Sequence, residues 1–222
     1  MDPDRLHFLL LSYPILLLSL TAHEFAHAWV ALREGDDTAY LLGRVTLDPR
    51  AHADPIGTVL FPILGILSGA PLLGWAKPVP VTTRKLRNYR SGDIRVSLAG
   101  IAANAILAVA CAAIAALLTL VLKQLAAPPA ALETLQEMMA YGVIGNVGLI
   151  VFNLLPIPPL DGSRVLYHFL SPQAGEAYRR FAPYGMLVLW GLVLTGALDV
   201  IRYVLFPIVN LLLYPAGIGF GA

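Results

Sequence analysis

Apolar residues fill five stretches of this chain, residues 6–32, 56–75, 94–122, 138–155 and 184–214, and most polar residues lie in the segments between them. A run of about 20 apolar residues can cross a bilayer as a helix, so the pattern predicts an all-α polytopic membrane protein. Stretch 56–75 is shorter and is broken by Pro62, Gly65, Gly69, Pro71 and Gly74, which suits a re-entrant hairpin better than a span. Stretch 184–214 reads either as one tilted helix or as a tight pair. Residues 43–47 alternate and read as a short β-strand. The segment "GWAKPVPVTT" reads as extended, because Pro78 and Pro80 forbid helix and fit only an edge strand. These two strands are expected to pair beside the membrane. No internal repeat or linker divides the chain, so residues 1–222 are read as one domain. Its expected core, about 6–165, is a three-helix bundle with the hairpin and strands, followed by one or two C-terminal helices at about 183–214.

Composition agrees with a membrane setting. Of 222 residues, 58% are hydrophobic and 13% charged, and mean hydropathy is +0.72; soluble domains carry about 25% charged residues. A net charge of +1 excludes a nucleic-acid partner, which needs a concentrated basic face. Cys111 is the only cysteine, so there is no disulfide framework and no thiolate metal site; it is expected to pack inertly in a spanning helix. The start, "MDPDRLHFLL", lacks a basic leader and a small-residue cleavage signal and is read as a retained membrane helix.

Charge placement orients the chain. If stretch 56–75 returns to the side it left, Arg33, Arg44, Arg50, Lys77, Arg84, Lys85, Arg87, Arg90, Arg95, Arg164, Arg179 and Arg180 all face the cytoplasm, twelve of the fifteen basic residues. Arg5 and Lys123 fall on the other side. A spanning stretch 56–75 would carry the three arginines of segment 33–55 out of the cytoplasm.

Against this apolar background, "TAHEFAHAW" at residues 21–29 places two histidines and a glutamate inside a spanning run. On a helix His23 and His27 are one turn apart on the same face, the geometry for two imidazoles on one metal ion, with Glu24 beside them. A charged group at mid-bilayer costs roughly 2.5–3.5 kcal/mol even on the lenient insertion scale, so a compensating ligand is expected. A metal binds both imidazoles neutral and gives the carboxylate a dication to face. Catalytic zinc takes about three protein ligands and leaves a position for water. The third is sought among Glu34, Asp36, Asp37, Asp48, His52, Asp54, Asp161 and His168. Most of these lie in hydrated loops. Asp161 differs, because it follows "NLLPIPPL", where Pro156, Pro158 and Pro159 stop a helix and leave extended backbone at membrane depth, tolerated only against protein or a watery cavity. With Leu6 at the outer face, His23 lies about 26 Å down a helix rising about 1.5 Å per residue, near the cytoplasmic boundary of a core of roughly 30 Å.

The pair "HEFAH" and "NLLPIPPLDG" resembles the site-2 protease family of intramembrane zinc metalloproteases, and "HADPIGT", "GWAKPVPV" and "LRNYRSGDIRVSLAG" look like its compact bacterial members. The likeness covers roughly residues 20–165. It implies that His23, His27 and Asp161 hold Zn2+, that Glu24 is the general base, and that Asn153 is a polar group near the substrate or the oxyanion. The family commonly has A-G-P-x-x-N between the motifs, whereas this chain reads "AGIAAN", with Ile101 in the proline position; Asn104 still matches, and the resemblance makes it a second group expected near the substrate or the oxyanion. No inserted PDZ-like module and no nucleotide-sensing domain is visible.

The implied activity is hydrolysis of peptide bonds within or near transmembrane segments of membrane-protein substrates, in a bacterial cell membrane, with the active site toward the cytoplasmic side. The expected partners are a transmembrane substrate and the bilayer, with self-association left open. The "GRVTL" or "KPVPV" strand is expected either to receive an unwound substrate as an added strand or simply to cover the hairpin. The rival reading is a metal-ion transporter or metal-binding sensor, which requires polar ligands along a path through both leaflets. His52 and Asp54 are expected to cap the hairpin, His7 and His168 to sit at interfaces, and Trp29, Trp75 and Trp190 to pack or anchor.

Overall fold

The computed structural model describes residues 3–68 and 74–219. Ten α-helices occur among them: α1 Pro3–Arg33, α2 Thr38–Leu41, α3 Pro49–His52, α4 Phe61–Ser68, α5 Tyr89–Leu122, α6 Ala130–Asn153, α7 Asp161–Tyr167, α8 Pro172–Phe181, α9 Gly185–Leu194 and α10 Arg202–Leu213. α1, α5, α6 and the stretch Ala197–Ala216 containing α10 are long and apolar enough to cross a membrane. Their surfaces are inverted relative to a soluble bundle. Ile106, Leu120 and Leu211 are 62–74% exposed, while Ser19, Thr21, Asn104 and Asn146 are almost wholly buried. Large apolar side chains outside and polar ones inside are what lipid as the surrounding solvent requires. The chain is an integral membrane protein.

α5 is the central element and packs on both α1 and α6, while α10 closes against α6. Asn88 starts α5 by accepting a hydrogen bond from the Ser91 amide (3.0 Å). Further along, Ala108, Ala112 and Ala115 form a stripe against Ala140, Val143 and Val147 of α6 and Val209 and Leu213 of α10. Helices in lipid gain nothing from hiding apolar surface from water, so close backbone approach over small side chains is what holds them. Cys111 lies in this packing: a Cβ added at Gly142 would sit 2.7 Å from its sulfur.

Stretch 184–214 forms two helices. α9 has ten residues, too few to span; Gly196 at φ +71° turns the chain, and the second helix follows.

Two expectations require correction. No β-strand occurs among the described residues. Residues 43–47 instead close the end of α2, with Gly43 at φ +67°, its amide on Tyr40 O (2.9 Å) and the Arg44 amide on Ala39 O (2.9 Å). Segment 74–82 is extended, but its amides find unrelated partners: Trp75 on Gly57 O (3.2 Å), Lys77 on His52 O (2.8 Å), Val79 on the Glu24 carboxylate (2.8 Å) and Thr82 on the Asp36 carboxylate (2.6 Å). Pro78 and Pro80 interrupt the row of donors that a ladder needs. The re-entrant hairpin over 56–75 is likewise unsupported. Its described limb is a six-residue π-helical turn, Pro55–Leu60, running into the eight residues of α4, about 21 Å at about 1.5 Å per residue. The tip expected at 69–73 lies outside the described residues. Asp54 caps this limb, accepting from the Ile56 (3.0 Å) and Gly57 (2.7 Å) amides.

Candidate metal centre

His23 and His27 project from one face of α1, both buried, with their Nε2 atoms 3.0 Å apart and their rings edge to face. The Oδ2 of Asp161, the first residue of α7, lies 3.2 Å from His23 Nε2 and 3.3 Å from His27 Nε2. These three residues form the one cluster among the described residues with donor atoms close enough to share a metal ion.

The far side of each imidazole fixes its proton. His27 Nδ1 is 2.7 Å from the carbonyl oxygen of Val96, which only accepts, so Nδ1 carries the hydrogen and Nε2 is a bare lone pair. His23 Nδ1 is 2.7 Å from Asn104 Oδ1. The Asn104 amide cannot be reversed, because its Nδ2 donates to Asn146 Oδ1 (2.9 Å) and Ser19 O (3.3 Å), and Asn146 Nδ2 in turn donates to Gly142 O (2.9 Å). His23 Nε2 is therefore a lone pair as well.

Three electron-rich atoms thus converge in a buried space, and Asp161 Oδ2 has no hydrogen-bond partner among the described residues. Such an arrangement is repulsive unless a cation sits among them. Zn–N and Zn–O bonds of about 2.0–2.1 Å in a tetrahedron put neighbouring ligand atoms about 3.3–3.4 Å apart. The observed separations of 3.0–3.3 Å match that edge, and two neutral imidazoles with one carboxylate form a suitable donor set.

The backbone is shaped around the cage. A Cβ at Gly100 of α5 would lie 2.5 Å from both His23 Cε1 and His27 Nε2, so only glycine lets this helix serve as a floor beneath the rings. A Cβ at Gly162 would overlap the carbonyls of Leu154 and Leu155, so glycine lets the start of α7 fold against the chain leaving α6. Glu24 is partly buried, and the Val79 amide donates to its Oε2. Asn153, the last residue of α6, turns its amide back onto Leu149 O (2.9 Å).

The other candidate ligands are engaged elsewhere. Glu34 pairs with Arg95, Asp37 with Lys85 and Asp48 with Arg50. Asp36 accepts from Thr38 and Thr82, His52 meets Thr46 O, Asp54 caps its helix, and His168 meets Asp93. Asn104 is a partner of His23. Val96 and Gly100 fall within the segments that carry the resemblance, but the sequence reading assigns no role to them or to Asn146. A carbonyl leaves no trace in the residue code, but positions 96, 100 and 104 recur every fourth residue on the face of α5 that meets the rings, a spacing the sequence does display.

Fold and site together define an integral membrane protein that holds two imidazoles and a carboxylate in one buried cage between its helices. Over 196 residues the chain is 37% identical to a Bacillus subtilis protein named "Putative zinc metalloprotease YwhC", covering 88% of this chain and 84% of that one. It is 34% identical over 183 residues to "Putative zinc metalloprotease Rip2" of Mycolicibacterium smegmatis and 35% identical over 182 residues to its Mycobacterium tuberculosis namesake, spanning 66% and 64% of their lengths. No family model and no solved structure matches the chain. The chain belongs to the site-2 protease family, and its relatives' names support a zinc metalloprotease role.

Proposed function

We propose that this protein is an intramembrane zinc endopeptidase that hydrolyses peptide bonds within or near transmembrane segments of membrane-protein substrates. The observation that carries this reading is the convergence, at zinc-ligand spacing, of His23 Nε2, His27 Nε2 and an Asp161 Oδ2 that has no hydrogen-bond partner among the described residues. A zinc ion held by these three supplies a Lewis acid that polarises a peptide carbonyl and acidifies water. Glu24, next to His23 on α1, takes the proton from the attacking water and delivers it to the leaving amine nitrogen. The Val79 amide holds one Glu24 oxygen and leaves the other for that transfer. Asn104 acts by orienting His23, and Asn153 supplies a polar group for the substrate or the oxyanion.

The active site faces the cytoplasm of a bacterial cell, a reading supported by the arginines and lysines of segments 33–55 and 76–95. The transporter alternative needs polar ligands beyond the cage, but the continuation of this face of α5 is Ala108, Ala112 and Ala115, closed against α6 and α10. In Glu24→Gln we expect zinc to be retained at one ion per chain and cleavage of a membrane-helix substrate to fall about 10²–10⁴-fold. Undiminished turnover in this variant excludes the role given to Glu24.

A further inference from the structure

We infer that Asp93 is a positioning residue of the metal centre, acting through Arg164 and His168 to hold the helix that carries Asp161; this rests on the zinc-site reading above. α7 has seven residues and follows a segment broken by Pro156, Pro158 and Pro159, so it cannot hold its own position. It packs on α5. Arg164 and His168 stand three and seven residues after Asp161, along one side of the chain. Both end on a single carboxylate. The Arg164 guanidinium donates to Asp93 Oδ1, and His168 Nε2 lies 2.8 Å from Asp93 Oδ2.

Asp93 is only 5% exposed, and the His168 side chain 3%. A carboxylate so buried is stable only while both partners remain in place. What distinguishes this clamp from an ordinary tie between helices is where it sits on α5. The same face presents the Val96 carbonyl to His27, the Gly100 backbone to both rings and Asn104 to His23. Asp161 is the third ligand, and α5 reaches its helix through Asp93. One helix is therefore the common reference for all three ligands.

The test uses the full chain in detergent. Asp93→Asn keeps the shape and removes the charge that both partners need. Zinc affinity of the metal-free protein, measured against a chromophoric chelator, is expected to fall about 10–100-fold. Amide hydrogen exchange across residues 156–168 is expected to quicken at least about tenfold, with exchange across α1 unchanged. Glu176→Gln, at an exposed ion-pair cluster on α8, serves as a control expected to leave both at the wild-type level. A merely structural tie would lower the thermal midpoint while zinc affinity stays within about twofold, and that result overturns the inference. If Asp93→Asn does not fold, Arg164→Gln decides by the same criteria, since Arg164 is partly exposed. A wild-type chain that binds no zinc would sink the metalloprotease reading instead, and exchange across 156–168 would still decide the clamp.

Discussion

One buried stripe runs the length of α5, and its two halves differ in kind. Positions 93, 96, 100 and 104 present a carboxylate, a carbonyl, a bare Cα and an amide; positions 108, 112, 115 and 119 present three alanines and a threonine. In the first half each position is defined by a heteroatom or by the absence of an atom, because it meets His23, His27 or the helix that carries Asp161. In the second half the three alanines are defined by volume alone, because they meet α6 and α10, and Thr119 closes the stripe with hydrogen bonds from Gln136 and to the Ala216 carbonyl. A helix can thus carry chemistry and lipid-phase packing on one face, provided that the chemistry lies at one end.

The hardest trial of this contrast exchanges glycine and alanine. Gly100→Ala pushes a methyl to 2.5 Å from His27 Nε2 with no flexible neighbour to yield. We expect loss of stoichiometric zinc and a fall in cleavage of about 100-fold or more, since misplacement of about 1 Å at a reacting centre costs that much. Ala112→Gly is expected to cost under about 1 kcal/mol and leave zinc untouched. Metal analysis and cleavage rates on both variants check this, and equal effects would erase the distinction between the halves.

Asn104→Ala comes next. It removes the acceptor that fixes the His23 tautomer and strands the Asn146 amide system. Loss of such an outer partner lowers metal affinity about 10–100-fold. Chelator competition on the folded variant measures it. Wild-type affinity would mean that the α1 helix alone sets the ring.

How much of this was legible beforehand follows the same division. His23, Glu24 and His27 sit on one continuous helix, so their spacing fixed their geometry, and Asp161 was marked by the proline break before it. The spanning helices declared themselves because lipid demands length and apolarity. The strands failed because an alternating pattern at 43–47 and an extended one at 74–82 say nothing about partners: Arg44 turned inward to Lys77 O, and Val79 and Thr82 bonded to carboxylates far off in sequence. Asp93 has no neighbour in the sequence that marks it out. Only the folded chain brings Arg164 and His168 to it across more than seventy residues.

A weaker probe enlarges the second half. Ala115→Leu overfills the contact with α6 and should cost about 1–3 kcal/mol of stability. Zinc affinity and turnover per folded molecule should stay at the wild-type level. Thermal unfolding in detergent beside a zinc titration separates the two quantities, and a matching loss of zinc would show that strain travels along the stripe into the cage.

The smallest effect belongs to a charge at the rim of the first half. Glu34, just past α1, receives two hydrogen bonds of 2.7 Å from Arg95 of α5. Those hydrogen bonds, with the nearby charges of Arg95 and Arg87, hold its carboxyl below the usual glutamate range. A carboxyl depressed by folding adds stability that is present above its unfolded value and is lost as pH falls through the folded one. Arg95 is half exposed, so solvent screens the pair and its contribution is small. In the metal-free protein, where acid release of zinc cannot intrude, the thermal midpoint of Glu34→Gln should lie slightly below that of the wild type at neutral pH. The two should converge as the pH falls through the folded Glu34 value, below the usual glutamate range, where Glu34 takes up its proton. Zinc affinity near neutrality should not change, because the ion pair lies off the stripe. A loss of zinc as large as that in Asn104→Ala would place the controlling contact between α1 and α5 at the rim, and the division of α5 into a chemical half and a packing half would have to be redrawn.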